Sequence, residues 1–129
     1  MDDFYRDYIL DHYKNPRNFG TIEPHDLEHH DVNPLCGDEL GVHLVVDEGG
    51  IITDLRFHGQ GCAISQAAAS IASEELVGMP VDDVPVLSAE WMLDLLGIDI
   101  SPTRRKCALL GLKVMRGATT GDASWPGAE

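Results

Sequence analysis

The middle of the chain constrains the fold most. Leu40, Val42, Leu44 and Val46 alternate with other residues, the period of a strand with one buried face. Asp47-Glu48-Gly49-Gly50 then supplies turn chemistry, and Ile51, Ile52, Leu55 and Phe57 form a second apolar run. The pattern predicts an antiparallel hairpin. A hairpin brings the chain back to its starting end, so the residues before its first strand and after its second share that end. Those residues are Cys36, in Cys36-Gly37-Asp38, and Cys62, in Gly59-Gln60-Gly61-Cys62. Two cysteines far apart in sequence are therefore expected together, with Asp38 two residues after the first.

The flanking segments read as helices. Phe4, Tyr5, Tyr8, Ile9 and Tyr13 make one apolar stripe from Asp3 to Lys14, and Asn15-Pro16-Arg17-Asn18-Phe19-Gly20 ends it. Thr21 to His30 is polar, with a short extended piece over Leu27 to Asp31. Ile64, Ala67, Ala68, Ile71 and Leu76 keep helical spacing from Ala63 to Val77, with Gly78 as cap and Pro80 as stop. Ser88 caps a short helix through Trp91, Leu95 and Leu96, closed by Gly97. Ser101-Pro102 reads as a cap and a first-turn proline, opening a last helix to about Arg116 with Cys107 in its first two turns. Ala118 to Glu129 is expected to be a loose tail despite Trp125. The expected fold is α+β, in one domain spanning 1–129. It has an N-terminal helix, an antiparallel sheet of about three strands, and C-terminal helices packed on one face.

A chain of 129 residues buries roughly 68% of its unfolded surface, enough for one core without staples. The formal net charge is -13, but Arg104, Arg105, Lys106, Lys113 and Arg116 fall in a stretch, Ser101 to Gly117, that contains no acid. The other four basic residues share the rest of the chain with all twenty-two acidic ones. So acidic a surface repels phosphate backbones and argues against nucleic acid. The basic stretch reads either as a solvated helix face or as a cationic wall that favours a Cys107 thiolate and receives an acidic partner. No apolar run reaches the ~20 residues of a membrane span. Met1-Asp2-Asp3-Phe4 lacks a basic, then apolar, export pattern, and three cysteines cannot all pair. A cytoplasmic protein with free thiols is expected.

Three thiolates and one carboxylate form a four-ligand metal set: Cys36, Asp38, Cys62 and Cys107. A buried cysteine more often serves as a small hydrophobe. That suits Cys107, among Ala108, Leu109 and Leu110, better than Cys36 and Cys62 at their glycine turns. Cys62 also opens a helix, where unpaired N–H groups and the dipole favour a thiolate. A carboxylate oxygen is a harder, weaker cluster ligand than a fourth cysteine, which suits release of a cargo.

Asn33-Pro34-Leu35-Cys36-Gly37-Asp38 and Phe57-His58-Gly59-Gln60-Gly61-Cys62-Ala63-Ile64-Ser65 resemble the two signatures of the NifU N-terminal, IscU and SufU family. Tyr8-Ile9-Leu10-Asp11-His12-Tyr13-Lys14-Asn15-Pro16-Arg17-Asn18 resembles that family's opening helix and exit, and the likeness runs from about Phe4 to Gly117. It implies an iron–sulfur scaffold or sulfur carrier rather than an enzyme. Cys36, Asp38, Cys62 and Cys107 match its ligand positions, for a transient [2Fe-2S] cluster or Zn(II). The implied partners are a cysteine desulfurase, iron and electron donors, and recipient apo iron–sulfur proteins. IscU proteins have a histidine before the third cysteine, where this chain has Lys106, and a chaperone-read Leu-Pro-Pro-Val-Lys stretch, where it has Ile100-Ser101-Pro102-Thr103-Arg104. Arg104, three residues before Cys107, is similar to SufU, yet the SufU insertion between second and third cysteines is missing. Arg104 and Lys106 are expected to support the thiolate. His43 and His58 are left out of the ligand set.

Two rival chemistries are weaker. A zinc hydrolase or deaminase needs an open metal position and a base; Glu39 is nearest, but no His-x-Glu or Pro-Cys-x-x-Cys is present. A thiol redox protein would be expected to carry Cys-x-x-Cys, which is also missing.

Overall fold

A computed structural model describes residues 3–35, 37–122 and 124–127. Helix α1, Asp3–Lys14, leads to strands β1 (Leu27–Asn33), β2 (Asp38–Val46) and β3 (Ile52–Gln60). Helix α2 (Ala63–Leu76), a 3₁₀ segment (Val81–Val86), helix α3 (Ala89–Leu96), a 3₁₀ turn (Pro102–Arg104) and helix α4 (Arg105–Thr120) follow. The sheet is antiparallel in the order β1-β2-β3. This is the α+β arrangement that the sequence predicts.

The hairpin forms where the alternation places it. Asp47 organises its turn: its carboxylate accepts from the Gly49 and Ile51 amides, both at 2.9 Å, and its amide donates to the Ile51 carbonyl at 2.9 Å. Leu40, Val42 and Leu44 of β2, with Ile52, Leu55 and Phe57 of β3, are buried and face α2 and α4. The alanines of α2 let α4 come very close. A Cβ on Gly111 of α4 would stand 3.0 Å from the Ala69 Cα.

The Asn15-Pro16-Arg17-Asn18 exit ties α1 to α2. The Ser70 hydroxyl accepts the Arg17 N–H at 2.9 Å and shares a second hydrogen bond with His12 Nδ1 at 2.7 Å. Asn18 Nδ2 donates to Ser73 Oγ at 3.0 Å. Burial, then the Arg17 charge, hold the His12 imidazole below its ordinary pKa, consistent with a neutral ring.

Three expectations need correction. The extended piece at Leu27 to Asp31 is a longer strand, reaching Asn33. Its sequence, Leu-Glu-His-His-Asp-Val-Asn, lacks apolar alternation because α4 meets its inner side with polar groups and a glycine. The Lys113 ammonium pairs there with Asp31, and His29 lies over Gly117. Ser101 does not cap α4: its hydroxyl bonds Thr103 Oγ1 at 3.1 Å, the 3₁₀ turn intervenes, and α4 begins at Arg105.

The third correction concerns the end of α4, which continues past Arg116 to Thr120. The left-handed residue that closes it is Gly121, at φ 77°. The tail expected to be loose from Ala118 therefore begins as helix. Beyond it, Trp125 packs against the core and Pro126 is buried. The Lys106 and Lys113 ammonium groups lie 5.3 and 4.8 Å from the Trp125 ring centroid, within cation–π range. No helix among the described residues is long and apolar enough to cross a membrane.

Candidate metal centre

Three elements start or end at one edge of the fold, and each brings one donor. Asp38 is the first residue of β2, paired across the sheet with Asn33, the last of β1. Cys62 lies between β3 and α2, extended at φ -70° and ψ 169°. Cys107 is the third residue of α4. Between Asn33 and Asp38 the chain turns through Gly37, whose φ of 73° disfavours a side chain and whose amide donates to the Asn33 carbonyl at 2.9 Å. Cys36, the first of the expected thiol donors, lies outside the described residues.

A carboxylate oxygen of Asp38 and the sulfurs of Cys62 and Cys107 all lie within 4.8 Å of one another. Two thiolates on one tetrahedral zinc ion, each at about 2.3 Å, stand about 3.8 Å apart. Small side-chain rotations would thus suffice for a shared ion. Two soft sulfurs with one hard oxygen fit Zn(II) or iron and poorly fit calcium or magnesium.

Hydrogen bonds fix the donors in place. Asp38 is buried, and one of its oxygens accepts the Cys62 N–H at 2.9 Å. That amide is one of the unpaired donors at the start of α2, so the helix terminus holds the carboxylate. The other oxygen is 3.8 Å from the Cys62 sulfur. Gly61 leaves the space for this: a Cβ there would stand 2.4 Å from Ser65 Oγ and 2.9 Å from Asp38 Oδ1.

Two side chains that the sequence reading did not single out support the thiols. Asn33, buried, directs Nδ2 to the Cys107 sulfur at 3.9 Å, while its Oδ1 accepts the Leu35 amide at 3.3 Å. It thus links one sulfur to the loop preceding Asp38. Ser65 Oγ lies 3.8 Å from the Cys62 sulfur and donates to the Cys62 carbonyl at 3.1 Å. The Asn33 N–H aimed at the Cys107 sulfur can orient that ligand, whereas the single Ser65 proton goes to the Cys62 carbonyl. The available signal was proximity in sequence: Asn33 opens the first cysteine segment and Ser65 stands one turn after Cys62.

The other candidates are not among these donors. Arg104 and Lys106 are exposed while Cys107 is buried, and Lys106 reaches over Trp125. His43 and His58 belong to a histidine stack. His43 lies parallel to His25 at 3.8 Å and takes the Ile22 N–H on Nδ1 at 3.1 Å, and His58 meets it edge-on at 5.0 Å. The carboxylate of Glu39, the base considered for a hydrolase, lies 3.8 Å from His30 Nε2.

Residues 4–121 match a family described as the NifU-like N-terminal domain. A zinc-dependent sulfurtransferase SufU of Bacillus subtilis is 33% identical, over 89% of this chain and 88% of its own. An iron-sulfur cluster assembly scaffold protein IscU of Azotobacter vinelandii is 30% identical, over 88% and 90%. Among solved structures, a putative iron-sulfur cluster assembly scaffold protein for the SUF system from Fervidobacterium islandicum superposes with a TM-score of 0.77. It is 28% identical and the match covers 88% of this chain and 94% of that one.

Proposed function

We propose a role that proceeds from one premise: this chain belongs to the NifU-like N-terminal domain family. The proposal is an iron–sulfur assembly scaffold that accepts persulfide sulfur and builds or relays a labile [2Fe-2S] cluster. The convergence of the Asp38, Cys62 and Cys107 donors within 4.8 Å carries it. Cys36, at the matching position of the first signature, completes the proposed set.

A thiolate of this chain would attack the outer sulfur of a persulfide on a cysteine desulfurase. The donor's S–S bond breaks, the donor leaves as thiolate, and the persulfide now stands on this chain with no net oxidation. Asn33, whose Nδ2 is directed at the Cys107 sulfur, would hold that thiol in position for the attack. Arg104 and Lys106 are proposed as supporting cations at the entrance. Iron and electrons from other donors would complete the cargo, and Asp38, the weakest ligand, would be the first to let it go to a recipient apoprotein. We place the protein in the cytoplasm, as a carrier without turnover of its own, and take residues 1–129 as one domain of this kind.

A second reading is the zinc-bound sulfur acceptor, favoured by the 33% identity to a zinc-dependent sulfurtransferase and by Arg104 before Cys107. Zinc bound at the same residues would keep the thiols deprotonated and ordered. Anaerobic reconstitution with ferrous iron and sulfide decides between the two. Visible cluster absorbance that disappears in Cys62→Ser and Cys107→Ser supports the scaffold. Tightly retained zinc, no absorbance and stimulation of a desulfurase support the acceptor. Neither cluster, zinc nor stimulation refutes both.

A further inference from the structure

The stretch that the sequence left between two readings, a solvated face or a wall for an acidic partner, has a shape that favours the second. At the start of α4, Arg105, Lys106 and Leu109 face Trp125, Pro126 and Gly127 across a pocket of about 220 Å³. Its walls include the Leu109, Trp125 and Pro126 side chains, and its rim is cationic. Arg104, Arg105 and Lys106 are all exposed. Among the described residues none of the three forms an ion pair, nor do Arg6, Lys14 and Arg116, whereas Arg17, Arg56 and Lys113 each pair with an aspartate; what sets the three apart is that they are consecutive in the chain. Three adjacent cations without an ion pair among the described residues concentrate positive potential at one place.

We infer that this pocket is a docking site for an acidic segment of another protein, which inserts one apolar side chain between Leu109 and Trp125 and sets carboxylates against Arg104, Arg105 and Lys106. Tryptophan and arginine are the residues most enriched at the energetic centre of interfaces. Here a tryptophan wall and an arginine rim are brought together by the return of the tail over α4. The acidic charge of the occupant follows from the rim, and its apolar anchor from the walls. The rim is adjacent in sequence to Cys107, so a docked partner would be held beside the sulfur-bearing edge. The docking site stands whether that edge carries a cluster or zinc.

The test pans a displayed library of random short peptides on the full-length chain. Selected peptides should place Asp or Glu around one large apolar residue, and their binding should weaken at high salt. Arg105→Glu and Trp125→Ala should each weaken binding by about tenfold. A glutamate in the first turn of α4 suits the helix dipole, so Arg105→Glu should keep the fold, which a thermal melt verifies. Selected peptides without acidic excess, or equal binding to both variants, would overturn the inference. So would concentration-dependent self-association abolished by Arg105→Glu, since the occupant would then be a second copy of this chain.

Discussion

Gly117→Ala sets helix propensity against packing. In an exposed helix, alanine is favoured over glycine by about 1 kcal/mol, so propensity alone predicts a more stable protein. Gly117, however, lies where α4 crosses β1. A Cβ there would stand 2.6 Å from His29 Cδ2 and 2.8 Å from both Cγ and Nε2, inside any ordinary contact. The ring would have to tilt away, giving up its contact with the Asp31 carboxylate at 3.4 Å. Overpacking of this kind costs about 1–3 kcal/mol. Set against the propensity gain, the net is a loss of up to about 2 kcal/mol. Urea melts of Gly117→Ala, His29→Ala and the double variant measure it. The double variant removes the overlap and keeps the propensity gain, which cancels in the cycle, so the coupling should equal the overlap cost of about 1–3 kcal/mol. A more stable Gly117→Ala whose effect simply adds to that of His29→Ala would refute the close approach.

Asp38→Ala should lower zinc affinity and, by leaving the Cys62 amide unpaired, destabilise the metal-free fold by about 1–3 kcal/mol. Asp38→Asn retains an acceptor for that amide, so it should lose zinc affinity with a smaller loss of stability. Chelator competition and urea melts separate the two, and zinc binding unchanged in both would remove Asp38 from the ligand set. Lys113→Met removes the ammonium partner of Asp31 and leaves it the His29 ring and the Val32 amide; with Asp31 partly exposed, the cost should be about 1–2 kcal/mol rather than that of a fully buried pair. Burial raises the Asp31 carboxyl, but Lys113 and the Val32 amide outweigh it and hold the pKa below the usual 3.8. The pairing therefore contributes fully above pH 3.8, and the gap between wild type and Lys113→Met should close as pH falls further. A gap that is flat to lower pH in denaturant melts would count against the pair. His12, held below 6.5 by burial, takes up its proton more readily in the unfolded chain. Stability should thus fall as pH drops below about 6.5, and His12→Gln should flatten that slope; an unchanged slope would show the imidazole not to be responsible.

What was legible in the sequence is what repeats locally. The hairpin, α1 and α2 follow from alternation and helical spacing, and their ends from proline, glycine and Asp47. Hairpin topology predicted Cys36 and Cys62 at one end; Cys36 lies outside the described residues, and Asp38, two residues after it, bonds the Cys62 amide there. β1 was hardly visible, because its inner His29 and Asp31 are satisfied by Gly117 and Lys113 of α4, far along the chain. The end of α4 was misplaced for the same reason: Gly117 reads as a terminator, yet it is glycine to clear His29, and Gly121 takes the left-handed turn. Asn33 and Ser65 were overlooked at the donor edge because their roles depend on direction, which spacing does not encode. The 3₁₀ segment Val81–Val86 shows neither period strongly enough to be predicted.

The meeting of Ala69 and Gly111 bears on how a cargo could leave. With main chain almost touching main chain, α2 and α4 cannot slide past one another without first prising apart. Cys62 begins one of these helices and Cys107 lies in the first turn of the other, so the two sulfurs ride on a single stiff block. Any separation of the two thiol-bearing helix starts would thus first have to break the Ala69–Gly111 contact.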